Sequence, residues 1–245
     1  MNLFFDGIAW ILDPANQSGP SGWIARLGEQ LAYTFGAVAI AAVIAVPLGY
    51  LVGHTGRGRD IAVSLSGGFR ALPSLGLLIL LGLGLGIGFR APLLTFVILA
   101  IPPILAGAYA GFEAIDRKTI DAARALGMTE LQIVGRVEVP LGLPLLLGGI
   151  RSGVLQVVAT ATLAAYVSGG ALGVFIFEGF STRNYAEALG ASILVTALAL
   201  VLEGIFALIQ RLVVPRGVAA KEPTEIRTRS SRPVAVAGIP AQEGK

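Results

Sequence analysis

Long apolar runs alternate with short polar stretches along this chain of 245 residues. A helix that crosses a bilayer needs about 20 mostly apolar residues. Five segments meet that requirement: roughly 33–53 (YTFGAVAIAAVIAVPLGYLVG), 68–88 (ending LLGLGLGIG), 92–112 (PLLTFVILAIPPILAGAYAGF), 141–166 (LGLPLLLGGIRSGVLQVVATATLAAY) and 188–210. They predict an all-α integral membrane protein with about five transmembrane helices. Between the third and fourth segments the pattern changes to an amphipathic one, DAARALGMTELQIVGRVEVP over residues 121–140. Asp116 or Thr119 suits the cap of a short helix running to Leu126. Ile120, Ala123 and Leu126 recur at i, i+3, i+6 and mark one face of it. Gly127 suits the left-handed residue that ends a helix. Thr129 and Gln132 have the capping-box spacing for a second helix, and Pro140 leads into the fourth span. The expectation is a helix–glycine–helix elbow outside the bilayer. Its small residues Ala122 and Ala123 would admit a partner's backbone. An ordinary amphipathic loop on the membrane surface fits the same pattern.

Composition supports a membrane protein: 55% of residues are hydrophobic and 13% are charged. The mean hydropathy is +0.79. A soluble domain of this length needs far more charge to cover its surface. With no cysteine, disulfides, thiolate metal sites and cysteine nucleophiles are excluded. The net charge of +3 comes without a basic, aromatic-rich stripe, so no nucleic-acid partner is expected. The N-terminal stretch MNLFFDGIAWILDPANQSGP lacks a basic region and an A-x-A site, and Asp6 interrupts it. An interfacial helix with Phe4, Phe5 and Trp10 in the headgroup zone fits it, as does a disordered leader.

Basic residues are distributed unequally. Arg57, Arg59, Arg117, Lys118, Arg124 and Arg136 fall in the loops after spans one and three, Arg70 starts span two on that side, and the tail carries more from Arg211 to Lys245. The other side has Arg26, Arg90 and Arg183. This bias predicts an external N-terminus, a cytoplasmic C-terminus and a cytoplasmic elbow. It divides the chain into an extracytoplasmic or interfacial segment 1–30, a membrane domain 31–212 containing the loop 113–140, and a disordered cytoplasmic tail 213–245.

Pro47, Pro73, Pro102, Pro103 and Pro144 lie inside spans, where each removes a backbone donor. The carbonyls they free need partners or a water-filled path. That number of breaks suits a transport pathway better than an anchor. Gly82/Gly86 and Gly84/Gly88 are small-xxx-small pairs, read as a packing face or a flexible end to span two. Arg151 and Glu203 sit about 12–16 Å deep at 1.5 Å per residue. A lone charge there costs on the order of 3 kcal/mol. Their similar depth and opposite sign predict a structural or gating ion pair; Arg151 reaching a water-filled vestibule alone is the alternative. His54, on a cytoplasmic loop, cannot form a metal site by itself. No Ser/His or aspartate pair lies within the spans to serve an intramembrane enzyme. Tyr33, Tyr50, Tyr109 and Tyr166 are scattered and define no aromatic cage. The substrate-binding residues are not assigned.

The elbow resembles the EAA loop of ABC importer membrane subunits: EAA, three residues, Gly, nine residues, then I-x-L-P. Here Asp121-Ala122-Ala123 is followed at that spacing by Gly127, and Val137-Glu138-Val139-Pro140 closes the pattern. Asp replaces Glu, and valines replace Ile and Leu. The resemblance extends over roughly residues 30–212. It implies an ABC importer permease fold, N-out and C-in. In it, a coupling helix carrying Asp121, Ala122, Ala123, Leu126, Gly127 and Pro140 inserts into a cleft of a cytoplasmic ATPase subunit. The chain has no Walker A motif, so ATP and Mg would be bound by that separate partner; no catalysis and no cofactor are expected here. The resemblance further implies an extracytoplasmic substrate-binding protein, a second permease subunit, identical or not, and a multi-pass location in the bacterial inner membrane. RALPSLGLLILLGLGLGIG, GLPLLLGGIRSGVLQVVATATLAAYVSGGALG and VFIFEGF resemble the permeases of quaternary-amine osmoprotectant importers, whose substrates are glycine betaine, choline, carnitine and proline betaine. Methionine-type amino-acid importers share the scaffold and are the alternative, followed by a non-transporting membrane scaffold.

Overall fold

The computed structural model describes residues 2–168 and 170–213, which are almost wholly helical. In chain order the helices are α1 (Leu3–Leu12), α2 (Pro14–Gln17), α3 (Trp23–Thr55), α4 (Arg59–Ala71), α5 (Ser74–Leu85), α6 (Arg90–Glu113), α7 (Arg117–Ala125), α8 (Glu130–Ile133), α9 (Val139–Ala161), α10 (Ala165–Ser168), α11 (Gly173–Ser181) and α12 (Tyr185–Val213). A π-turn (Val134–Glu138) joins α8 to α9, and a 3-10 turn (Thr162–Ala164) joins α9 to α10. The expected tail lies, apart from Val213, outside the described residues.

Four helical runs are long and apolar enough to cross a membrane: Trp23–Thr55, Arg90–Glu113, Glu130–Val167 and Tyr185–Val213. The expected second span is not one straight helix. The segments Arg59–Phe69 and Ser74–Leu85 meet at 85°, and they make a fifth crossing only if the bent pair counts as one. Leu72 and Pro73 cause the break. A residue before proline is pushed out of the helical region, and Leu72 is extended at φ −67°, ψ 127°. The expected glycine run also divides. Gly82 packs on Val167, where an added Cβ would lie 2.8 Å from a methyl group. Gly86 and Gly88 have φ of +84° and +139°, so α5 ends there and the chain turns.

α6 forms the centre of the bundle, with α3 against one side and α9 against another. In lipid the helices gain little from hiding apolar surface, so close backbone packing has to hold them. Small residues recur every fourth position along α3: Ala37, Ala41, Ala45, Gly49 and Gly53. A Cβ added at Gly49 would meet the Ala108 side chain at 2.5 Å, and one at Gly53 would meet Phe112 at 2.6 Å. On the other side α6 crosses α9 glycine to glycine. An added Cβ would lie 2.7 Å from the Gly149 Cα at Gly107, and 2.6 Å from the Gly142 carbonyl at Gly111. Larger side chains fill the spaces beside these crossings, among them the fully buried Phe96, Ile104, Val154, Val157 and Val158. Tyr33 joins this core, stacked on Phe89 at 4.5 Å and edge-on to Phe96 at 5.8 Å.

Polar groups close the end of the bundle away from the elbow. The fully buried Gln30 donates to the Val158 carbonyl at 2.9 Å and accepts from the Leu172 N–H at 3.3 Å. Glu29 accepts from the Ala171 N–H at 2.8 Å, which holds Ala171 at a φ of +64° that a residue with a Cβ seldom adopts. The N-terminal segment is helical, and α1 packs on α12 through Gly7 and Gly190. Phe4 and Phe5 are exposed. Trp10 instead turns inward, edge-on to Phe175 at 5.1 Å.

The crossings make a direct prediction. At Gly149 a methyl group would meet the Pro103 carbonyl at 2.6 Å, whereas at the neighbouring Gly148 it would meet nothing within 4 Å. Gly149→Ala therefore lowers stability by about 1–3 kcal/mol through overpacking against backbone. Gly148→Ala is neutral or stabilising by up to about 1 kcal/mol. Thermal unfolding of the two variants in the same detergent compares them; equal midpoints would refute the crossing.

Candidate functional site

The elbow is built from local chemistry. The Asp116 carboxylate accepts from the Lys118 N–H at 3.0 Å and starts α7. The helix ends on Gly127, whose φ is +80°. The Gly127 N–H reaches the Arg124 carbonyl at 2.9 Å, and the Met128 N–H reaches the Ala123 carbonyl at 3.2 Å. This is the paired-bond ending that a left-handed glycine permits. α8 then opens on a reciprocal capping box: Thr129 N–H to Gln132 Oε1 at 2.9 Å, and Gln132 N–H to Thr129 Oγ1 at 3.4 Å. Ile120, Ala123 and Ile133 are buried together, with Ile115, Met128 and Val137 around them. The elbow thus carries its own small core.

Two expectations about its faces change. Leu126 does not share the buried face with Ile120 and Ala123. It caps the helix and is 84% exposed, because the turn at Gly127 swings it outward. Ala123 is buried against Ile133, so of the two alanines only Ala122 is open to a partner. Leu131, on the other side of Gly127, is 86% exposed. The tip of the elbow therefore presents Leu126, Leu131 and Ala122. Asp121 is exposed, and Arg124 Nη1 lies 3.4 Å from it. Arg124 is held more firmly by Glu130, with bonds of 2.8 and 3.1 Å to its two carboxylate oxygens. The hydrogen bond and charge of Glu130 hold the Arg124 guanidinium above its usual range.

Beyond α8 the chain does not break before the fourth span. The Val139 N–H donates to the Val134 carbonyl five residues back, and the helix continues into α9 with Pro140 exposed in its first turn. Pro140 has no N–H for the preceding turn, and its ring crowds the carbonyl four residues back. The wider π-turn lies just upstream. Glu138, in this turn, is 4% exposed. His54 reaches it from the last turn of α3, with Nδ1 2.7 Å from Glu138 Oε2 and Nε2 3.4 Å from Glu130 Oε2. His54 is therefore a helical, partnered residue rather than a free loop histidine. No spacing rule could join it to an acid 84 positions away. A cleft of about 250 Å³ opens beside it, lined by the end of α3, α7, Arg59, Tyr109 and Glu113. Arg59 closes one wall, bonding the Tyr109 hydroxyl at 3.0 Å and Glu113 at 3.1 Å.

Within the bundle the structure brings Arg151 and Glu203 together. Arg151 Nε donates to Glu203 Oε2 at 2.7 Å, and Nη2 faces the other carboxylate oxygen. Arg151 Nη1 also donates to Gln210 Oε1 at 3.3 Å, and the Gln210 amide donates to the Pro144 carbonyl at 3.4 Å. Four polar groups thus join α9 to α12. Tyr50 stacks on Phe112 at 4.2 Å, and Tyr166 meets Phe177 edge-on at 4.2 Å. The four tyrosines do not converge on one site.

Residues 45–217 match the family model described as binding-protein-dependent transport system inner membrane component. The glycine betaine/carnitine/choline transport system permease protein OpuCB of Bacillus subtilis (strain 168) is 29% identical over 79% of this chain and 89% of its own. The carnitine transport permease protein OpuCB of Listeria monocytogenes is 33% identical over 71% of this chain and 80% of its own. The osmoprotectant import permease protein OsmW of Salmonella typhimurium is 28% identical over 87% of this chain and 99% of its own. Among solved structures, an inward-facing MetNI methionine ABC transporter chain shares the fold, with a TM-score of 0.70 and 24% identity over 79% of this chain and 96% of that one. With four helices long and apolar enough to span a membrane, a capped elbow and a family match over most of its length, this chain belongs to the binding-protein-dependent transport system inner membrane components.

Proposed function

We propose that this chain is a membrane subunit of an ATP-driven importer for quaternary-amine osmoprotectants such as glycine betaine, choline, carnitine or proline betaine. The observation that carries the substrate class is its similarity to permeases named for glycine betaine, carnitine, choline or osmoprotectant transport, over 71% to 87% of this chain. The likeness to the methionine transporter concerns the fold, which importers of both classes share, and it does not favour methionine.

The elbow supplies the dock for a separate ATPase subunit that binds ATP and Mg. Leu126 and Leu131 on its tip are the anchors, since a few residues fully buried at the centre of an interface carry most of its binding energy. The elbow end of the bundle also carries Arg57, Arg59, Arg117, Lys118, Arg124 and Arg136, while Arg26, Arg90 and Arg183 lie toward the other. This supports a cytoplasmic elbow in the bacterial inner membrane, a cytoplasmic C-terminus and an external N-terminus. One chain forms half a pathway. A second permease subunit completes it, and an extracytoplasmic binding protein delivers the solute.

The test is ATP-dependent uptake of labelled glycine betaine by the subunit reconstituted with its ATPase and binding protein. Unlabelled choline, carnitine and proline betaine should compete; competition by methionine alone would discard the osmoprotectant class. Leu126→Asp with Leu131→Asp should weaken ATPase co-purification by roughly 30-fold or more, the loss of a hot spot worth about 2 kcal/mol. Gly127→Val should weaken ATPase binding as well, since a β-branched residue in the left-handed region costs about 1–2 kcal/mol. ATPase binding that ignores all three changes would place the dock elsewhere.

The Arg151–Glu203 pair is proposed as a structural or gating contact between α9 and α12. Glu203→Gln leaves the Arg151 charge without its counter-ion inside the bundle, so the yield of assembled complex and the uptake rate should both fall. If insertion, assembly and uptake all match the parent protein, the pair has no such role.

A further inference from the structure

The elbow has a direct route into the bundle through α8, the π-turn and α9, which form one continuous helix. α3 is not continuous with the elbow; its end packs on α6 through Gly53 and Tyr50 against Phe112. The end of α3 and helix α7 face each other across the cleft of about 250 Å³. Among the described residues, the hydrogen bonds and ion pairs from α3 to the elbow are those of His54, to Glu138 at 2.7 Å and Glu130 at 3.4 Å.

The π-turn makes this double contact possible. In a regular α-helix, eight positions advance about 800°, so Glu130 and Glu138 would point about 80° apart. A π-turn absorbs one extra residue, so the advance falls to about 700° and the two carboxylates come within about 20° of one face. His54 stands against that face. A carboxylate only accepts hydrogen bonds, so the tautomer that donates to Glu138 is the one with its hydrogen on Nδ1. Glu138 is 4% exposed, and His54 is its sole hydrogen-bond partner among the described residues. A buried carboxylate served by one donor strongly favours keeping that donor in place.

We infer that His54 is a positioning residue for transport: it fastens the cytoplasmic end of α3 to the elbow, so that elbow movement carries α3 together with α9. The inference rests on the elbow being the ATPase dock.

The experiment uses the assembled transporter in proteoliposomes and compares the parent protein, His54→Ala and His54→Asn. The asparagine amide nitrogen stands where Nδ1 stands and can donate to Glu138; alanine cannot. Co-purification of the ATPase and the thermal midpoint check docking and folding. The decisive readout is solute taken up per ATP hydrolysed. His54→Ala should keep the ATPase bound and hydrolysing while that ratio falls about tenfold, the size of a typical coupling free energy. His54→Asn should restore most of it, which a general loss of packing would not allow. Spin labels on Arg57→Cys and Arg136→Cys give a second readout in this cysteine-free chain. Their separation should stay constant through the ATP cycle with His54 present and should change between states in His54→Ala. If the parent couples and His54→Ala couples equally well with a constant label separation, this inference falls alone. If the parent subunit neither binds nor responds to the ATPase, the docking reading falls and takes the inference with it.

Discussion

The structure depends on backbone meeting backbone around α6. A bilayer offers no hydrophobic reward for bringing two apolar helices together, so their attraction must come from many short van der Waals contacts. Those contacts need the helices closer than ordinary side chains permit. Gly107 against Gly149 and Gly111 against Gly142 achieve this on one side, and Gly49 and Gly53 on the other. Larger residues then pack into spaces whose shape the glycines have set. The positions of the elbow and the cleft follow from where α3, α6 and α9 cross.

Polar structure is placed differently at the two ends. Away from the elbow, Glu29 and the buried Gln30 hold the backbone of Ala171 and Leu172, so a strained loop is fixed by side chains from a distant helix. At the elbow, the core of Ile120, Ala123 and Ile133 is separate from the main one. A module with its own core holds its shape independently of the main bundle. The remaining apolar groups at its tip, Leu126 and Leu131, cannot be hidden by that small core and stay exposed.

Much of this was legible in the sequence because it rests on local rules. The Thr129–Gln132 box, the left-handed Gly127 and the Asp116 cap involve neighbours in the chain, and each forms as its residues dictate. Arg151 and Glu203 could be matched by depth alone. Other features escaped because they depend on geometry that spacing does not carry. Pro73 is marked within 68–88 as a break, but the pattern does not carry the size of its effect on Leu72, an 85° bend that turns a span into two helices. Leu126 fits the i, i+3, i+6 series with Ile120 and Ala123, but the helix ends before that series can apply. The contact of His54 with Glu138 required knowing where α3 ends relative to a π-turn. The small residues Ala37, Ala41, Ala45, Gly49 and Gly53 were visible as a four-residue repeat, a clearer packing signal than the glycines of α5.

The unbroken run from Glu130 to Val167 has a mechanical consequence. Its 38 residues at 1.5 Å each make a rod of about 57 Å, nearly twice the hydrocarbon thickness. Such a rod is a lever with one arm outside the bilayer. Tilting it by about 5° about one end displaces the other by about 5 Å, roughly one helical turn. A small tilt of a run this long therefore moves its far end by a distance comparable to the size of a small solute.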